Sequence, residues 1–238
     1  EGNQKAANHV VMLRNTSKGH SLYTTFQLQK NFVDGILKGL YLNGSYSFGQ
    51  SRGVTDGTSS VATSAWKYRA ALDGNAEEVG YTAGSFDGRL LLSASYTANW
   101  SKYAATSFGL IYQRYRPFRY SYCYNGDANG DSQFSNDLMY IPANFDEVKD
   151  HLLPGDFDSQ EDAWKAMNAF IEQDPYLSKH RGEYAERNGA VAPFANQLDL
   201  SVSHDIKIYQ KNGRSHTLRF SFNIANFLNL LNRNWGVV

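Results

Sequence analysis

Hydrophobic and polar residues alternate along six stretches of this chain, each about a dozen residues long. In residues 90–100, the even positions hold leucine, alanine, tyrosine and tryptophan, and most odd positions hold serine, threonine or asparagine. Because successive side chains of a strand point to opposite faces, this pattern predicts strands with one apolar and one polar face. The stretches are 21–32, 36–48, 90–100, 106–118, 198–208 and 217–227, with less regular alternation in 21–32 and 106–118.

The connections between these strands alternate between short and long. We expect tight turns at Asp34-Gly35, at 101–103 and at 211–213, and long loops at 50–85 and 124–193. An up-and-down antiparallel β-barrel of the outer membrane has short periplasmic turns and long extracellular loops, so this order favours such a barrel. Two further strands, near 8–14 and 60–72, would raise the number to eight, the smallest that closes one.

The longer loop contains a helical pattern in residues 158–175. Apolar side chains recur there at helical spacing, at Ala163, Trp164, Met167, Phe170 and Ile171. Asp158 or Ser159 is suited to cap the start of this helix, and Pro175 ends it. A loop of this length with its own helix predicts a small extracellular subdomain. We expect the Trp164 face to pack on the barrel rim rather than to contact a ligand.

The composition of the polar face distinguishes a barrel from a soluble β-sandwich. The alternation of apolar and polar residues does not, because both folds produce it. A sheet face exposed to water usually carries many Lys and Glu residues, whereas this one is mostly Ser, Thr, Asn, Gln and Asp. That composition favours a hydrated barrel lumen, because strands cross lipid only in closed barrels. Trp100 and Tyr103, beside one short turn, suit an aromatic belt at the membrane interface, although rings that cover an ordinary hydrophobic edge are the alternative.

Amino-acid composition further limits the possible fold classes, partners and metal sites. Aromatic residues make up 14% of the chain, which favours strands over a helical bundle. The 23 basic and 23 acidic residues cancel and are scattered, which argues against nucleic acid as a partner. No apolar run reaches the length of a membrane-spanning helix. The single Cys123 excludes an internal disulfide, and no Cys/His cluster indicates zinc.

One polar segment has the spacing of a calcium loop. Asp127, Asn129 and Asp131 place an oxygen-bearing side chain at every second position, beside glycines. A structural calcium site at these residues, helped by a carbonyl near Gln133 and by Asp137, is one interpretation. The other is that Asx side chains and glycines build consecutive turns without a metal.

Recognised catalytic motifs are missing from the sequence. A complete calcium-binding EF-hand is excluded. In a loop that begins at Asp127, position six is Ser132 rather than Gly and position twelve is Leu138 rather than Glu. The six histidines have no HExxH spacing, and no GxSxG or Walker-type loop occurs. We therefore expect no catalytic residues, and we do not predict an enzyme. His204 falls on the apolar side of its strand, where we expect a headgroup-level position rather than a ligand role.

Three segments carry a resemblance to a known family. They are YNGDANGDSQFSNDLMYIP at 124–142, HRGEYAERNGAVAPFANQLDLSVSHDI at 180–206 and FSFNIANFLNLLNRNWG at 220–236. In them the chain resembles the carboxyl-terminal barrel region of TonB-dependent outer-membrane receptors, especially the large Bacteroidetes kind. The resemblance covers most of the chain, and its motifs are typical of the family rather than of one substrate.

The resemblance implies a barrel of about 22 strands, plugged by its own amino-terminal domain. Such a receptor imports a nutrient, for example a glycan, a peptide or a metal chelate, with energy from the inner-membrane TonB complex. Residues 1–238 are then expected to supply six to eight strands and extracellular loops from the carboxyl-terminal portion of the barrel. The plug domain, the TonB-contacting segment and the last aromatic strand are not recognised among them.

The implied location is the bacterial outer membrane, and the implied partners are its lipid, the plug domain, the TonB complex and a surface lipoprotein. Four loop aromatics are candidates to stack on a sugar or peptide: Tyr122, Tyr124, Tyr176 and Tyr184. No cofactor is expected beyond the structural calcium. Two alternatives stay open, namely a soluble secreted β-sandwich that binds carbohydrate or calcium, and a receptor that signals without importing.

Overall fold

The computed structural model of the chain describes residues 12–57, 59–209 and 215–235. They form mostly antiparallel β-sheet with a few short helices. The first elements are β1 Gly19–Asn31, β2 Leu40–Gly53, α1 Ala62–Lys67, β3 Gly80–Tyr81, β4 Phe86–Asn99, β5 Ala104–Tyr115 and β6 Arg119–Tyr120. The later ones are β7 Tyr140–Ile141, α2 Gln160–Gln173, β8 Glu183–Tyr184, β9 Ala190–Val191, β10 Ala195–Tyr209, β11 Ser215–Ile224 and α3 Phe227–Leu231.

The chain divides into two compact units. The sheet unit contains Leu22–Gln50, Phe86–Pro117 and the residues from Ala192 onward. The loop unit contains the residues up to Ser21, together with Ser51–Ser85 and Phe118–Val191. The loop unit thus includes most of both long connections that the sequence predicts.

The long strands form one meander in the order β1-β2-β4-β5-β10-β11. Each pair with a described register is antiparallel. All six predicted strands are confirmed, as are the tight turns at Asp34-Gly35 and 101–103. In the second turn Trp100 N donates to Ala104 O at 3.0 Å. The turn predicted at 211–213 lies outside the described residues.

The register joins the apolar faces of these strands into one surface. Even-numbered residues pair with even-numbered residues in every described pairing of β4, β5, β10 and β11, so their side chains share a face. One row across it is Leu42, Ala94, Leu110, Leu200 and Ile224. Large side chains here stay exposed, among them Leu28 at 81% and Phe222 at 64%. We call this surface the apolar face.

The opposite face is a ladder of polar side chains. Thr25 and Ser47 hydroxyls are 2.9 Å apart, and Gln27 Nε2 donates to Asn43 Oδ1 at 2.8 Å. At the other side of the sheet, the Arg219 guanidinium donates to both carboxylate oxygens of Asp205, at 2.6 and 2.7 Å. Polar groups on this face therefore bond to each other across neighbouring strands.

A β-bulge near the end of β2 depends on glycine. The pairing of β2 with β4 shifts between Ser47 and Gly49. A Cβ at Gly49 would overlap the ring of Tyr23, which stacks on Phe86 with ring centroids 6.0 Å apart. Glycine thus lets the Tyr23 ring lie directly against the backbone at the bulge.

The helix predicted in the longer loop is confirmed as α2. Ser159 is its N-cap, and the Ser159 hydroxyl accepts from Asp162 N at 3.1 Å. The buried core beside it contains Ile141, Ile171, Leu177 and Ala185, all from the long connection. Trp164 packs against Phe145 of the same connection, with ring centroids 6.1 Å apart. The contacts that hold this helix are therefore internal to the loop unit.

Two tentative strands are corrected. Residues 60–72 do not form a strand, because α1 occupies 62–67 and Ala71 makes only an isolated bridge. The stretch 62–67, ATSAWK, contains helix-forming alanines but too few residues to show a helical period. Of the stretch near 8–14, residues 12–14 have no strand and the rest lies outside the described residues. Within the described ranges, none of the helices combines the length and hydrophobicity needed to span a membrane.

Candidate functional site

Two cavities in the loop unit share three lining residues, Leu72, Leu138 and Tyr184. One has a volume of about 310 Å³ and also contacts Glu78, Glu186 and Arg187. The other has a volume of about 450 Å³ and is also lined by Tyr124, Ala128, Asn129 and Asp137. We call the two together the loop cleft, and its lining includes acidic, basic, amide and aromatic side chains.

Short pairings between distant segments build the loop cleft. β7 pairs with β8, which places Tyr140 opposite Tyr184. Isolated bridges join Cys123 to Leu138 and Ala71 to Asp137. Each pairing is only one or two residues long, so no periodic pattern in the sequence marks it.

Arg187 is the buried cation beside this cleft, with 5% of its surface exposed. Its Nη1 donates to Val54 O at 2.5 Å, and its Nη2 donates to Gly53 O. Arg69 also donates to Val54 O, at 3.0 Å. Burial lowers the pKa of Arg187, while the nearby Asp56 carboxylate raises it. These charge-assisted bonds tie residues 53–54 to a segment more than a hundred positions later.

Tyr81 lies close to two guanidinium groups. Its ring centroid is 4.3 Å from Arg52 Cζ and 4.1 Å from Arg119 Cζ. Arg52 also forms an ion pair with Glu186. Cation–π contacts of this kind hold β3 against β2 and β6 within the loop unit.

The four aromatic ligand candidates separate into two pairs. Tyr122 and Tyr176 are internal: their rings stack 6.2 Å apart, and both pack on the buried core. The Tyr122 hydroxyl donates to Asp174 Oδ2 at 2.7 Å, and the Tyr176 hydroxyl accepts from Glu186 N at 2.8 Å. Burial, then the bond to Asp174, raises the pKa of Tyr122 well above its usual value. Burial, then the Glu183 carboxylate, raises the pKa of Tyr176 to about 12.

Tyr124 and Tyr184 instead line the loop cleft, with 38% and 54% of their surfaces exposed. Tyr140 packs edge-on against Tyr184, with centroids 5.1 Å apart, and its N donates to the Tyr124 hydroxyl at 3.2 Å. Sequence reasoning missed Tyr140, Leu72 and Arg187 as neighbours of these rings. Only long-range pairing brings them together.

The candidate calcium residues lie in a closed loop, residues 124–137, whose root is the bond from Tyr124 N to Asp137 O at 2.9 Å. Asp127 Oδ1 accepts from Gly130 N at 2.7 Å, and Asn129 Oδ1 accepts from Asp131 N at 2.9 Å. Asp131 Oδ1 accepts from Gln133 N at 2.8 Å. Asn129 and Asp131 thus build consecutive Asx turns, while Asp127 accepts from a backbone N–H three residues further on. We call residues 124–137 the acidic loop.

Deeper in the acidic loop, three oxygens lack a hydrogen-bond donor. They are Gln133 Oε1, Asn136 Oδ1 and Asp137 Oδ1. The three residues are only 6%, 5% and 3% exposed. The other carboxylate oxygen, Asp137 Oδ2, accepts from Ala128 N at 2.6 Å and from Asn129 N at 3.3 Å. The Asp137 carboxylate therefore points into the loop.

Other chemistry-bearing side chains are structural. Among the described residues, no three His, Cys, Asp or Glu side chains come together as a metal-binding group. His204 Nδ1 lies 2.8 Å from the Thr106 hydroxyl on the neighbouring strand β5. Burial, then the Asp137 carboxylate, raises the pKa of Cys123 to about 11, which keeps this thiol protonated and unreactive at neutral pH.

No protein-family model matches the chain. Comparison with curated proteins gives no match. Comparison with solved structures gives none either.

Proposed function

We propose that this chain is part of the wall and extracellular loops of a TonB-dependent outer-membrane transporter, which imports a nutrient with energy from the inner-membrane TonB complex. The observation that carries the proposal is the apolar face. It extends over all the long strands, and its large side chains remain exposed. Lipid is the solvent that suits such a surface, because a soluble protein rarely leaves so large an apolar area in water.

The dimensions and polarity of the sheet support the proposal. Its strands have 10 to 15 residues, enough to cross a bilayer at the usual tilt. The polar ladder on the other face suits a hydrated lumen. Trp100 and Tyr103, at a short turn, are 68% and 47% exposed, as an interfacial belt requires.

The proposal assigns a role to each unit. The sheet unit forms part of a barrel of about 22 strands with the rest of its parent chain. The loop unit lies on the extracellular side, where a surface lipoprotein can cover it, and contributes Tyr124 and Tyr184 to ligand contact. Lipid, the plug domain and the TonB complex are the other partners, the location is the outer membrane, and no catalytic step is assigned.

A self-contained sandwich fits the same observations less well. A sandwich covers its apolar face with a second sheet of comparable size. In the parts of the chain that the structure describes, the other sheets consist of two strands of two residues each. The apolar face therefore needs a cover from outside these residues.

Membrane fractionation of cells that express the parent protein tests this function. We expect the protein in the outer-membrane fraction, with a gel mobility that shifts when the sample is boiled, as folded outer-membrane barrels show. A parent that stays in the soluble fraction without detergent would contradict the proposal. If the protein is in the outer membrane but deletion of its gene leaves nutrient uptake intact, the result would support a receptor that signals without importing.

A further inference from the structure

We infer that the acidic loop binds a calcium ion through Asp137, Gln133 and Asn136, with Asp127 and Asp131 supplying the remaining charge. The donor atoms are the buried oxygens Asp137 Oδ1, Gln133 Oε1 and Asn136 Oδ1, rather than the Asx-turn oxygens that the spacing of the motif suggests. The ligand class is a hard divalent cation, because every candidate donor is a carboxylate or amide oxygen.

Asp137 is buried, which is unusual for a carboxylate. An ionised carboxylate that is 3% exposed needs a compensating charge or several hydrogen bonds. Asp137 Oδ2 has two backbone donors, but Oδ1 has none. A cation at Oδ1 would complete the coordination of this carboxylate.

Two neighbouring side-chain amides are in the same situation as Asp137. Gln133 Oε1 and Asn136 Oδ1 are also buried without a donor, within five positions of Asp137. A buried acceptor without a partner is destabilising, so three in one short loop are unusual. Calcium coordinates amide oxygens as readily as carboxylates, and all three acceptors lie within residues 133–137 of the acidic loop.

The acidic loop also has a net negative charge. The acidic loop carries Asp127, Asp131 and Asp137 and contains no Lys or Arg. None of these carboxylates forms an ion pair with the described residues of the chain. The loop therefore has a concentration of negative charge that no protein cation offsets.

The loop's own turns prepare such a site. The Asp127 carboxylate accepts from three backbone N–H groups, of Gly130, Asp131 and Ser132. These bonds fix the backbone of the loop before any ion binds, which lowers the entropy that binding costs. Calcium bound there would hold the wall of the loop cleft that Asn129 and Asp137 form.

Terbium luminescence on the parent protein in detergent tests the inference, since Tyr124 at the root of the loop can sensitise a bound lanthanide. We expect terbium emission that calcium displaces and magnesium does not. An affinity in the range of about 10⁻⁴–10⁻³ M for calcium is typical of extracellular modules. Asp137→Asn should weaken calcium binding at least tenfold, and the control Asp150→Asn, an exposed acid of the same connection, should not change it.

The Gln133→Met variant distinguishes a loop in which the Gln133 side chain binds calcium from a loop in which it binds only water. If Gln133 is a ligand, this variant binds calcium more weakly and loses calcium protection of the exposed Phe134 against chymotrypsin. If it is not, removal of an unpartnered oxygen leaves calcium binding unchanged. Absence of calcium-specific binding at millimolar concentration, or full binding by either loop variant, overturns the inference. Outer-membrane fractionation is independent of both results.

Discussion

The partly buried side chain of Tyr122 makes the stability of the loop unit depend on pH. Its hydroxyl donates to Asp174 Oδ2 at 2.7 Å, and its ring packs edge-on against Phe170 and stacks on Tyr176. Ionisation of this phenol would place a second negative charge beside Asp174 in a poorly hydrated site. The folded state therefore keeps the proton, and the pKa of Tyr122 is raised.

Stability of the loop unit should accordingly fall at alkaline pH. The folded pKa values of Tyr122 and Tyr176 lie above the unfolded value of 10.0, so their contribution is fully present below pH 10. Above pH 10 the unfolded chain releases these protons first, and stability falls until the pH exceeds each folded pKa, near 12 for Tyr176. Each phenol contributes a slope of at most about 1.4 kcal/mol per pH unit, less where water screens it.

Alkaline unfolding followed by tyrosinate absorbance measures this effect. Tyr122→Phe should flatten the loss of stability above pH 10, while it lowers stability near pH 7 by about 1 kcal/mol through the lost hydrogen bond. The control Tyr68→Phe changes a ring that is 74% exposed and should leave the profile unchanged. Identical alkaline profiles for wild type and Tyr122→Phe would show that this phenol does not carry the effect.

At the element scale, α2 depends on its first turn. The Ser159 hydroxyl accepts from Asp162 N and donates to Asp162 Oδ2 at 2.8 Å. Hydrogen bonds from Lys165 and then Ser159 lower the pKa of Asp162, so this carboxylate is ionised near the positive end of the helix dipole. The cap joins the start of α2 to the segment before it.

Removal of the cap should loosen this end of the helix. Ser159→Ala is expected to cost about 1 kcal/mol of loop-unit stability, because one backbone N–H loses its acceptor. Hydrogen exchange of the amides at 161–163 should accelerate accordingly. Ser159→Asn, which retains a capping oxygen, should exchange at nearly the wild-type rate. Equal exchange in Ser159→Ala and wild type would mean that the cap does not limit opening of α2.

Strands and helices with a regular pattern of apolar residues were predictable from the sequence. Short strands that form only by pairing with residues far away in the sequence were not. The strand around Leu92 and Tyr96 shows its alternation over its whole length, and the α2 helix has both a cap and a terminating proline. By contrast, β7 and β8 have two residues each and exist only because residues 140 and 184 meet. Burial of Gln133 and Asn136 was likewise unpredictable, since polar loop residues are usually exposed.

At the scale of the whole molecule, the apolar face decides which solvent the sheet requires. Phe222 and Ser221 are adjacent in β11, are both exposed and face opposite sides of the sheet. In water, lysine at an exposed phenylalanine position would cost little. In lipid, lysine costs about 2–4 kcal/mol near the bilayer midplane and less toward the interfaces.

Equilibrium unfolding of the parent protein, reconstituted in lipid vesicles, compares these two sites. Phe222→Lys is expected to destabilise the barrel by an amount in that range, while Ser221→Lys, on the polar face, should have a small effect. The comparison is matched because both variants add the same charge to the same strand. Equal tolerance of both substitutions would indicate that the apolar face does not contact lipid.

The bonds of Arg187 also constrain the order in which this protein can acquire its structure. Gly53 O accepts from Arg187, which is 134 residues further along the chain. Closure of a loop of that length costs on the order of 4 kcal/mol of chain entropy, so the contact forms late rather than as a nucleus. During synthesis, Arg187 cannot donate to the carbonyl groups at 53 and 54 until residue 187 has left the ribosome. The bonds that join residues 53–54 to Arg187 are therefore among the late contacts of the loop unit, whatever the order in which the strands pair.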